Sequence, residues 1–399
     1  MTTSPNVIHL FNSSSVSGPE TLALPALAEW KSSARVLNLR EERLSRLSAS
    51  DPLGQYSRSL GLGYFAIPVK RRWDREAVRQ THIYLREQRP DVVHAHDVKA
   101  STYLLHAARD WRARPFRIVS THHGVLGRPD LKTRLYEWYY RKRILPSFDK
   151  VLAVSSADYA LLRGSGIADA RLALHLNGVD RPAVAIEDRP RLSQAIRRRW
   201  LPGVADAAEG FWMGVVGRLS VEKDHARVLR ILAELARRPV RREWQCLMFG
   251  GGPLEAKLRA RTRELRLEGH VRWMGYRPDL GAELAGFDLL LSFSKAEGLP
   301  VNLLEAGWAA TPVMATGVGG VLDLIPDGRY GVVCPADEPP ARSAERLEGL
   351  LAEPGESGLR EQGRAFQERV SREFNRERWL LRLREIYADC LSPEWGPPA

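Results

Sequence analysis

Two glutamates around a strand-to-helix turn are the residues whose types and spacing most directly suggest chemistry. Glu297 lies in the loop after the apolar run Leu289–Leu291, and Glu305 follows eight positions later in a helix that opens at Pro300. Unpaired backbone N–H groups point outward where a strand ends and a helix begins, so such turns bind phosphorylated ligands. Two acids placed there suggest recognition of hydroxyl groups, as on a sugar or ribose. The sequence therefore predicts a ligand site at this turn.

A basic turn earlier in the same half complements these acids. Gly217–Asp224 directly follows the apolar run Phe211–Val216. Gly217 lets the backbone turn tightly, Arg218 offers a planar fork of donors and Lys223 a point charge, a combination that suits a pyrophosphate. Two solvated cations beside a helix start are the alternative, and the glutamates favour the phosphate site. The run Gly250–Gly252 either approaches a ligand or only completes a turn.

Histidines end two predicted strands in the first half. His94 and His96 lie in one pair, and His122 and His123 in another. They could hydrogen-bond a ligand or transfer a proton, or they could be structural. HExxH is absent, and no cysteine or carboxylate stands at metal spacing, so we expect no zinc site. The lack of an Asp-x-Asp pair argues against a site built on a carboxylate-held divalent ion.

Two further segments leave their alternatives open. The loop Ser13–Gly18 is either a phosphate cradle or a helix cap. The segment Lys132–Arg143 interleaves aromatic and basic residues, which suits either a helix on an anionic membrane surface or one packed on the sheet with solvated charges. No base-reading module accompanies this segment, so we expect no nucleic-acid partner.

Length and composition indicate a two-domain protein with anionic partners. The 399 residues exceed one comfortable core, and the net charge of +12 favours phosphorylated substrates, acidic lipid or nucleic acid, unless it only reflects an arginine-rich proteome. The three cysteines form no CxxC motif, which predicts reduced thiols in the cytoplasm. We expect neither a signal peptide nor a membrane span.

Apolar runs alternate with helical patterns along the chain, which predicts an α/β protein with two Rossmann-like parallel-sheet domains facing across a cleft. We expect an N-terminal domain over residues 1–187 and a C-terminal domain over 188–375. The polar, Arg-rich segment Asp188–Gly210 is interpreted as a linker region. The final helix begins at Arg376.

With these residues assembled, the chain resembles the retaining glycosyltransferases of family 4, the "group 1" transferases with the GT-B fold. The strongest match is Glu297, seven residues and Glu305 within EGLPVNLLEAGWAATPV, which is similar to the E-x7-E signature of the family. Matching segments in the expected order are SGPE at 17–20, DVVHAHD at 91–97, STHHG at 120–124, GRLSVEK at 217–223, FGGGPLEAKL at 249–258 and GY at 275–276. The family more often has Gly-Gly at Gly18-Pro19 and glutamate at Asp323.

The resemblance implies that the first domain is acceptor-binding, that the second is nucleotide-sugar-binding, and that the last helix, residues 376–399, packs back on the first domain. It also assigns a role to each matching residue. In the donor site it implies diphosphate contacts from Arg218 and Lys223 beside Gly217, and sugar hydroxyl contacts from Glu297. It implies ribose contacts from Glu305 and a base near Tyr276. Backbone near sugar and phosphate would come from Gly298, Leu299 and Pro300. From the first domain, His123 would reach the sugar or acceptor, and Gly18 would leave room for the donor.

The implied reaction moves a hexose from a nucleoside diphosphate sugar to a glycan or lipid-linked acceptor in polysaccharide or glycoconjugate biosynthesis. UDP-sugars are favoured over GDP-mannose, and neither metal nor cofactor is expected. Retention would follow front-face attack, in which the departing phosphate helps remove the acceptor proton. The alternatives are a GT-B phosphorylase, a sugar-nucleotide epimerase and a non-catalytic nucleotide-sugar-binding protein. The donor sugar, acceptor, linkage and oligomeric state do not follow from the sequence.

Overall fold

The computed structural model describes the chain except for residues 1–4, 15, 17, 31–32, 43–50, 110, 112–113, 125–130, 182–188, 201–209, 241, 278–279, 353–356 and 393–399. The chain divides into two compact units. The first comprises the described residues up to Asn177 together with those from Arg376 onward, and the second comprises Gly178–Asn375. The main segment of the first unit ends at Asn177, whereas the sequence analysis placed the end of the first domain at residue 187.

The first unit is built on a seven-stranded sheet in which all neighbouring strands are parallel. In chain order its strands are β1 Val7–Phe11, β2 Ala34–Glu41, β3 Gly63–Val69, β4 Val92–Ala95, β5 Arg117–His122, β6 Lys150–Ala153 and β7 Leu172–Leu174. They lie in the order β3-β2-β1-β4-β5-β6-β7. The α-helices of this unit are Gly18–Ala28, Pro52–Ser59, Arg75–Gln88, Val98–Ala108, Leu131–Tyr139, Ser156–Arg163 and Arg376–Leu391.

The central strands of this sheet are buried on both faces. Successive side chains of a strand point to opposite faces, so Ile8 and Leu10 enter one hydrophobic core while His9 between them faces the other side. The helix Arg376–Leu391 contributes to that other side, where its Tyr387 hydroxyl hydrogen-bonds with His94. The C-terminal helix is therefore part of the first unit.

The second unit repeats the plan with a six-stranded parallel sheet. Its strands are β8 Phe211–Val216, β9 Trp244–Phe249, β10 Val271–Gly275, β11 Leu289–Ser292, β12 Val313–Thr316 and β13 Val332–Cys334, in the order β10-β9-β8-β11-β12-β13. Its α-helices are Arg189–Trp200, His225–Ala236, Glu255–Glu264, Val301–Trp308, Val321–Leu324, Pro340–Ala352 and Ser357–Glu373. The predicted alternation of strands and helices and the two parallel sheets are confirmed.

The strand order reverses once in each sheet, between β1 and β4 in the first and between β8 and β11 in the second. At such a switch point the connections leave the two central strands toward opposite faces of the sheet, which opens a crevice at their carboxyl ends. The loops after β8 and β11 carry the basic turn and the first of the two glutamates. The topology therefore brings these distant segments to one crevice.

The linker interpretation of Asp188–Gly210 is wrong for residues 189–200, which form a helix of the second unit. The helix buries Ile196 and Trp200, and the Trp200 ring lies 4.8 Å from that of Phe287. Its buried Arg197 pairs with Asp288 at 2.6 Å and donates to the carbonyl oxygen of Gly286. The arginine-rich composition suggested a solvated segment, whereas Arg197 is buried and paired with Asp288.

We expect the Arg197–Asp288 pair to be essential to the stability of the second unit. The change Asp288→Ala would leave the Arg197 guanidinium buried without its carboxylate and would remove the acceptor of the Trp212 backbone N–H. Breaking a buried pair in this way lowers the free energy of unfolding by about 3–5 kcal/mol. Urea denaturation followed by tryptophan fluorescence measures the change.

Arg199 on the same helix provides the matched control, because its guanidinium pairs with Glu283 while its side chain is largely exposed. The change Arg199→Ala should lower the free energy of unfolding by no more than about 1 kcal/mol. Equal effects of Asp288→Ala and Arg199→Ala would contradict the importance of the buried pair.

Candidate functional site

An ion pair between the loops after β8 and β11 lies at the centre of the candidate site in the second unit. The Nζ atom of Lys223 is 2.7 Å from Oε1 and 2.9 Å from Oε2 of Glu297. The Glu297 side chain is 8% exposed and that of Lys223 is 25% exposed, so the pair is partly screened from water. The structure thus joins the predicted phosphate-binding cation to the predicted hydroxyl-binding acid.

Within each loop a serine that the sequence analysis did not select orients a glutamate. The Ser294 hydroxyl donates a hydrogen bond to Oε1 of Glu297 at 2.6 Å. The Ser220 hydroxyl donates to Oε1 of Glu222 at 2.6 Å, and the backbone N–H of Lys295 donates to the Glu222 carbonyl oxygen at 2.8 Å. The orientation of the Glu297 carboxylate is therefore fixed from both loops. The Lys223–Glu297 contact joins residues 74 positions apart, which no local spacing in the sequence could reveal.

The glycine turn after β9 supports the basic turn after β8. Gly250 has a φ of 147°, and a Cβ atom there would lie 1.9 Å from the carbonyl oxygen of Gly217. A Cβ on Gly252 would lie 2.5 Å from the carbonyl oxygen of Leu219. Only glycine permits this approach of two backbones. The structure thus gives these glycines a packing role beside the site.

A second pair of glycines fixes the backbone at Glu297. Gly319 has a φ of 52°, and a Cβ atom there would lie 1.9 Å from the carbonyl oxygen of Glu297. The backbone N–H of Gly320 donates to the carbonyl oxygen of Gly298 at 2.7 Å. The loop after β12 therefore packs directly against the loop after β11. Both glycines are required by this contact.

The helix Val301–Trp308 starts at the carboxyl end of β8. Pro300 is still extended, with φ −73° and ψ 115°, so the helix begins one residue later than predicted. The Asn302 side-chain amide donates to the carbonyl oxygen of Val216, the last residue of β8. Leu299 is buried, whereas Glu305 is half-buried within the helix. The N-terminus of this helix is thereby held beside the basic turn.

The remaining predicted donor-site residues lie at the surface. Arg218 is exposed in the basic turn, and Tyr276 is 66% exposed after β10. A Cβ atom on Gly251 would lie 3.8 Å from the Cβ of Tyr276, which places the tyrosine at the border of the glycine turn. Exposed aromatic and guanidinium groups in these positions can receive a base or a phosphate from solvent.

A histidine missed by the sequence analysis lies next to the ion pair. His225 is the first residue of the helix His225–Ala236 and is buried. Burial, and then the charge of Lys223, lower the pKa of His225 to about 4. The imidazole is therefore neutral near pH 7. The positive charge of the basic turn comes from Lys223 and Arg218.

In the first unit three of the four predicted histidines, His94, His96 and His123, belong to a larger group of packed rings. The rings of His94 and His96 stack with centroids 4.4 Å apart, and those of His96 and His123 with centroids 5.8 Å apart. Burial lowers the pKa of His9 and of His123 to about 3, and it lowers the pKa of His94 and of His96 well below the usual value. We refer to His9, His94, His96 and His123 as the histidine cluster. All four imidazoles are neutral near pH 7.

Hydrogen bonds connect the histidine cluster to its surroundings. Nδ1 of His94 lies 2.6 Å from the Tyr387 hydroxyl, and Nε2 lies 2.7 Å from that of Thr121. Nδ1 of His9 lies 2.8 Å from Nε2 of His96, so one ring must donate and the other accept. Among the described residues no partner meets the remaining nitrogens of these two rings. His94 therefore has a structural role, anchoring the C-terminal helix.

The histidine cluster also has the composition of a metal site, which the sequence analysis did not detect because His9 comes from a separate strand. Ligand nitrogens of His9, His94 and His96 all lie within 4.8 Å of one another. Neutral imidazoles are good metal ligands. A metal ion could bind there only if hydrogen bonds such as the one between His9 and His96 broke. The expected absence of a zinc site stays a prediction.

The other predicted residues of the first unit lie around its own switch point. The backbone N–H of Asn12, after β1, donates to Oδ2 of Asp97, after β4, at 2.7 Å. Gly18 begins the helix Gly18–Ala28, while residues 15 and 17 of the serine-rich loop lie outside the described residues. Nε2 of His122 lies 3.8 Å from Oδ1 of Asp158, and burial lowers the pKa of His122 to about 4.

Comparison with known proteins connects both units to one family. A model described as "Glycosyl transferases group 1" matches residues 205–368, and a model described as "Glycosyltransferase Family 4" matches residues 40–181. The chain belongs to the group 1, family 4 glycosyltransferases. The first match contains Lys223 and Glu297, and the second contains His123.

Two curated relatives illustrate the range of the family. The D-inositol 3-phosphate glycosyltransferase of Salinispora arenicola is 27% identical over 332 residues, which cover 77% of this chain and 70% of that protein. The GDP-mannose-dependent alpha-mannosyltransferase of Corynebacterium glutamicum is 29% identical over 258 residues, which cover 62% of this chain and 56% of that protein. The chain spans 29% to 60% of the length of three other curated relatives.

Solved structures agree with the fold of the two units. HepE of Anabaena in complex with UDP-glucose is similar with a TM-score of 0.77 and 18% identity, and the match covers 96% of this chain and 99% of that chain. At this identity the likeness shows the fold. The chain has the GT-B fold, as the resemblance implied.

We expect Ser294 to orient the Glu297 carboxylate. The change Ser294→Ala removes the 2.6 Å hydrogen bond and leaves that oxygen to Lys223 alone. A hydrogen bond to a charged group contributes about 1.5–3 kcal/mol, so kcat/KM for sugar transfer should fall by about tenfold or more. Initial rates measure this loss, with Ser371→Ala on the surface helix as the control. Unchanged kcat/KM in Ser294→Ala would contradict the positioning role.

We expect the histidine cluster to make the first unit sensitive to acid. The unfolded chain takes up protons as pH falls below the usual histidine pKa of about 6.5. In the folded state burial lowers the pKa of His9 and His123 to about 3 and lowers the pKa of His94 and His96 well below the usual value, so the cluster resists protonation. The free energy of unfolding should therefore fall through this window, by up to about 1.4 kcal/mol per pH unit for each histidine.

One buried carboxyl opposes this trend. Burial raises the pKa of Asp97 to about 6, so the folded state binds its proton first and gains stability as pH falls. A single carboxyl cannot offset four imidazoles. Denaturant titrations at pH 7.5 and pH 5.5 measure the net effect, and equal stability at the two pH values would contradict the prediction.

Proposed function

We propose that the protein is a retaining glycosyltransferase that moves a hexose from a nucleoside diphosphate sugar to a glycan or lipid-linked acceptor, in polysaccharide or glycoconjugate biosynthesis. The observation that carries the proposal is the Lys223–Glu297 pair, oriented by Ser294 at the switch point between β8 and β11. A cation beside an acid at this crevice suits a ligand that joins phosphates to hydroxyls.

The hydrogen-bonding capacity of the pair fits such a donor. The Lys223 ammonium has three N–H donors, two of which are directed at Glu297. The third can meet a phosphate oxygen, with Arg218 as a second cation at the surface. The Glu297 carboxylate accepts three hydrogen bonds, from Lys223 and Ser294, and keeps capacity for a sugar hydroxyl. In this proposal Glu305 binds the ribose.

The other donor contacts follow the same geometry. Gly298, Leu299 and Pro300 lead into the helix Val301–Trp308, so their backbone would lie near sugar and phosphate. Gly217 would allow close approach at the basic turn, and Tyr276 would lie near the base. We favour a UDP-sugar, supported by the likeness to HepE with UDP-glucose, with GDP-mannose as the second candidate. A thermal-shift series with UDP-, GDP- and ADP-sugars separates these donors.

In the proposed reaction the bond between the anomeric carbon and the diphosphate breaks while the acceptor oxygen bonds to the same carbon from the same face. Lys223 and Arg218 neutralise the charge that develops on the departing diphosphate. The departing phosphate oxygen helps to remove the acceptor proton. Glu297 is already engaged by an ammonium and a hydroxyl, which makes it a poor nucleophile for a covalent intermediate. Because two side chains supply the positive charge, we propose transfer without a divalent metal.

Residues of the first unit complete the proposal. The neutral His123 imidazole can exchange hydrogen bonds with a hydroxyl of the sugar or acceptor, and Gly18 presents no side chain at the start of its helix. We propose that the reaction takes place in the cytoplasm, in keeping with three free buried cysteines. A lipid-linked acceptor would bring the protein to the membrane surface on that side.

We expect alanine at Glu297, Arg218 or Lys223 to abolish transfer without unfolding the protein. Each change removes a contact to the donor, and loss of one charged donor to a developing anion lowers kcat by about a hundredfold or more. Transfer of radiolabelled sugar from the donor measures the loss, and circular dichroism monitors the fold. Transfer should also persist in EDTA.

Exposed residues of the second unit serve as controls. Lys257→Ala and Glu268→Ala remove a lysine and a glutamate side chain at exposed positions and should leave the rate of transfer unchanged. Full activity in the Glu297, Arg218 and Lys223 variants would refute the site assignment. Loss of activity in EDTA that added magnesium restores would refute the metal-independent mechanism.

A further inference from the structure

The helix Leu131–Tyr139 leaves a face of large apolar side chains uncovered. Leu131 is 80% exposed, Leu135 62%, Trp138 48% and Tyr139 42%. Their spacing of four, seven and eight residues places them on one side of an α-helix. Tyr140 and Ile144, in the π-helical turn that follows, are buried and attach the segment to the first unit. The segment is therefore anchored at one end while its aromatic side faces solvent.

A second segment extends this face. Lys70–Arg72, in the loop after β3, are exposed, and Trp73 beside them is 41% exposed. The Arg72 guanidinium lies 5.7 Å from the centre of the Tyr136 ring, which brings the loop and the helix side by side. The Trp73 ring rests edge-on against His106. We refer to Leu131, Leu135, Trp138 and Tyr139 with loop residues 70–73 as the basic aromatic face.

The exposed charges of the basic aromatic face are positive. Arg134 on the helix is exposed, as are Lys142 and Arg143 in the π-helical turn, and the three cations of Lys70–Arg72 add to them. Glu137, the only acidic residue between 131 and 144, is half-buried. Aromatic and aliphatic side chains ringed by cations match the boundary between acyl chains and anionic headgroups. Two copies of the face would repel one another, which disfavours self-association.

We propose that the basic aromatic face docks the protein on the surface of an anionic lipid bilayer. The apolar side chains would enter the headgroup boundary while the arginines and lysines meet lipid phosphates. Within the described part of the chain no helix is long and apolar enough to cross a bilayer, so this contact is interfacial. Docking would bring the protein to a lipid-linked acceptor, and in this respect the inference rests on the proposed function.

Co-sedimentation of the full chain with vesicles tests the proposal. We expect binding to equimolar phosphatidylcholine and phosphatidylglycerol, and at least about tenfold weaker binding to phosphatidylcholine alone. The double change Leu135→Ser with Trp138→Ser, and the double change Arg71→Glu with Arg143→Glu, should each weaken binding by about tenfold or more. Leu381→Ser, on an exposed leucine of the C-terminal helix, is the control and should bind like the wild type.

The same variants separate failure of docking from failure of the proposed function. Thermal shift with nucleotide sugars reports donor binding without vesicles, and we expect it to be unchanged in both double variants. Absence of vesicle binding by a wild type that binds donor would overturn docking alone. Docking would also be overturned if the charge variant weakened vesicle binding and the apolar variant did not, because the face would then bind any polyanion. A wild-type dimer that the apolar change dissociates would make the face a protein interface instead.

Discussion

The contact between Lys223 and Glu297 is the interaction on which the rest of the candidate site depends. It joins the loops after β8 and β11, where the strand order reverses and a crevice opens. A partly buried ion pair gains little net stability by itself, because desolvation offsets much of the attraction. Its value lies in geometry: a cation and an acid are held in fixed orientation before any ligand arrives, so binding does not have to order them.

The surroundings of the pair show how much structure that geometry requires. The glycine turn after β9 packs against Gly217, and the loop after β12 packs against Glu297, in both cases at distances that exclude a Cβ atom. Ser294 fixes one carboxylate oxygen, and Asn302 ties the following helix to the end of β8. Four loops, those after β8, β9, β11 and β12, and one helix start thus converge on two side chains. A change in any of these supports would act on the site through Glu297 or Lys223.

The sequence predicted well what local patterns encode. Buried parallel strands read as apolar runs, so the bounds of the run Phe211–Val216 agree with β8. The predicted start of the last helix at Arg376 is also correct. Motif spacing also identified Lys223 and Glu297. It did not identify β2, the helix Pro52–Ser59 or β3, because these segments carry no recognised motif. The helix 189–200 was missed because its arginines suggested a solvated linker.

Contacts between distant segments are what the sequence could not supply. Ser294 gains its role from a carboxylate that Lys223 also holds, and His9 joins His94 and His96 only because β1 and β4 are neighbours. The same reasoning applies to the surface: residues 70–73 carry no motif, yet the Arg72–Tyr136 contact adds them to the aromatic helix. One of the two readings of residues 132–143 was packing on the sheet, and Tyr140 does pack. The other interpretation, contact with an anionic membrane surface, stays a prediction, and the exposed Trp138 and Tyr139 are compatible with it. One amphipathic segment can pack on the sheet with its inner face and meet a membrane with its outer face.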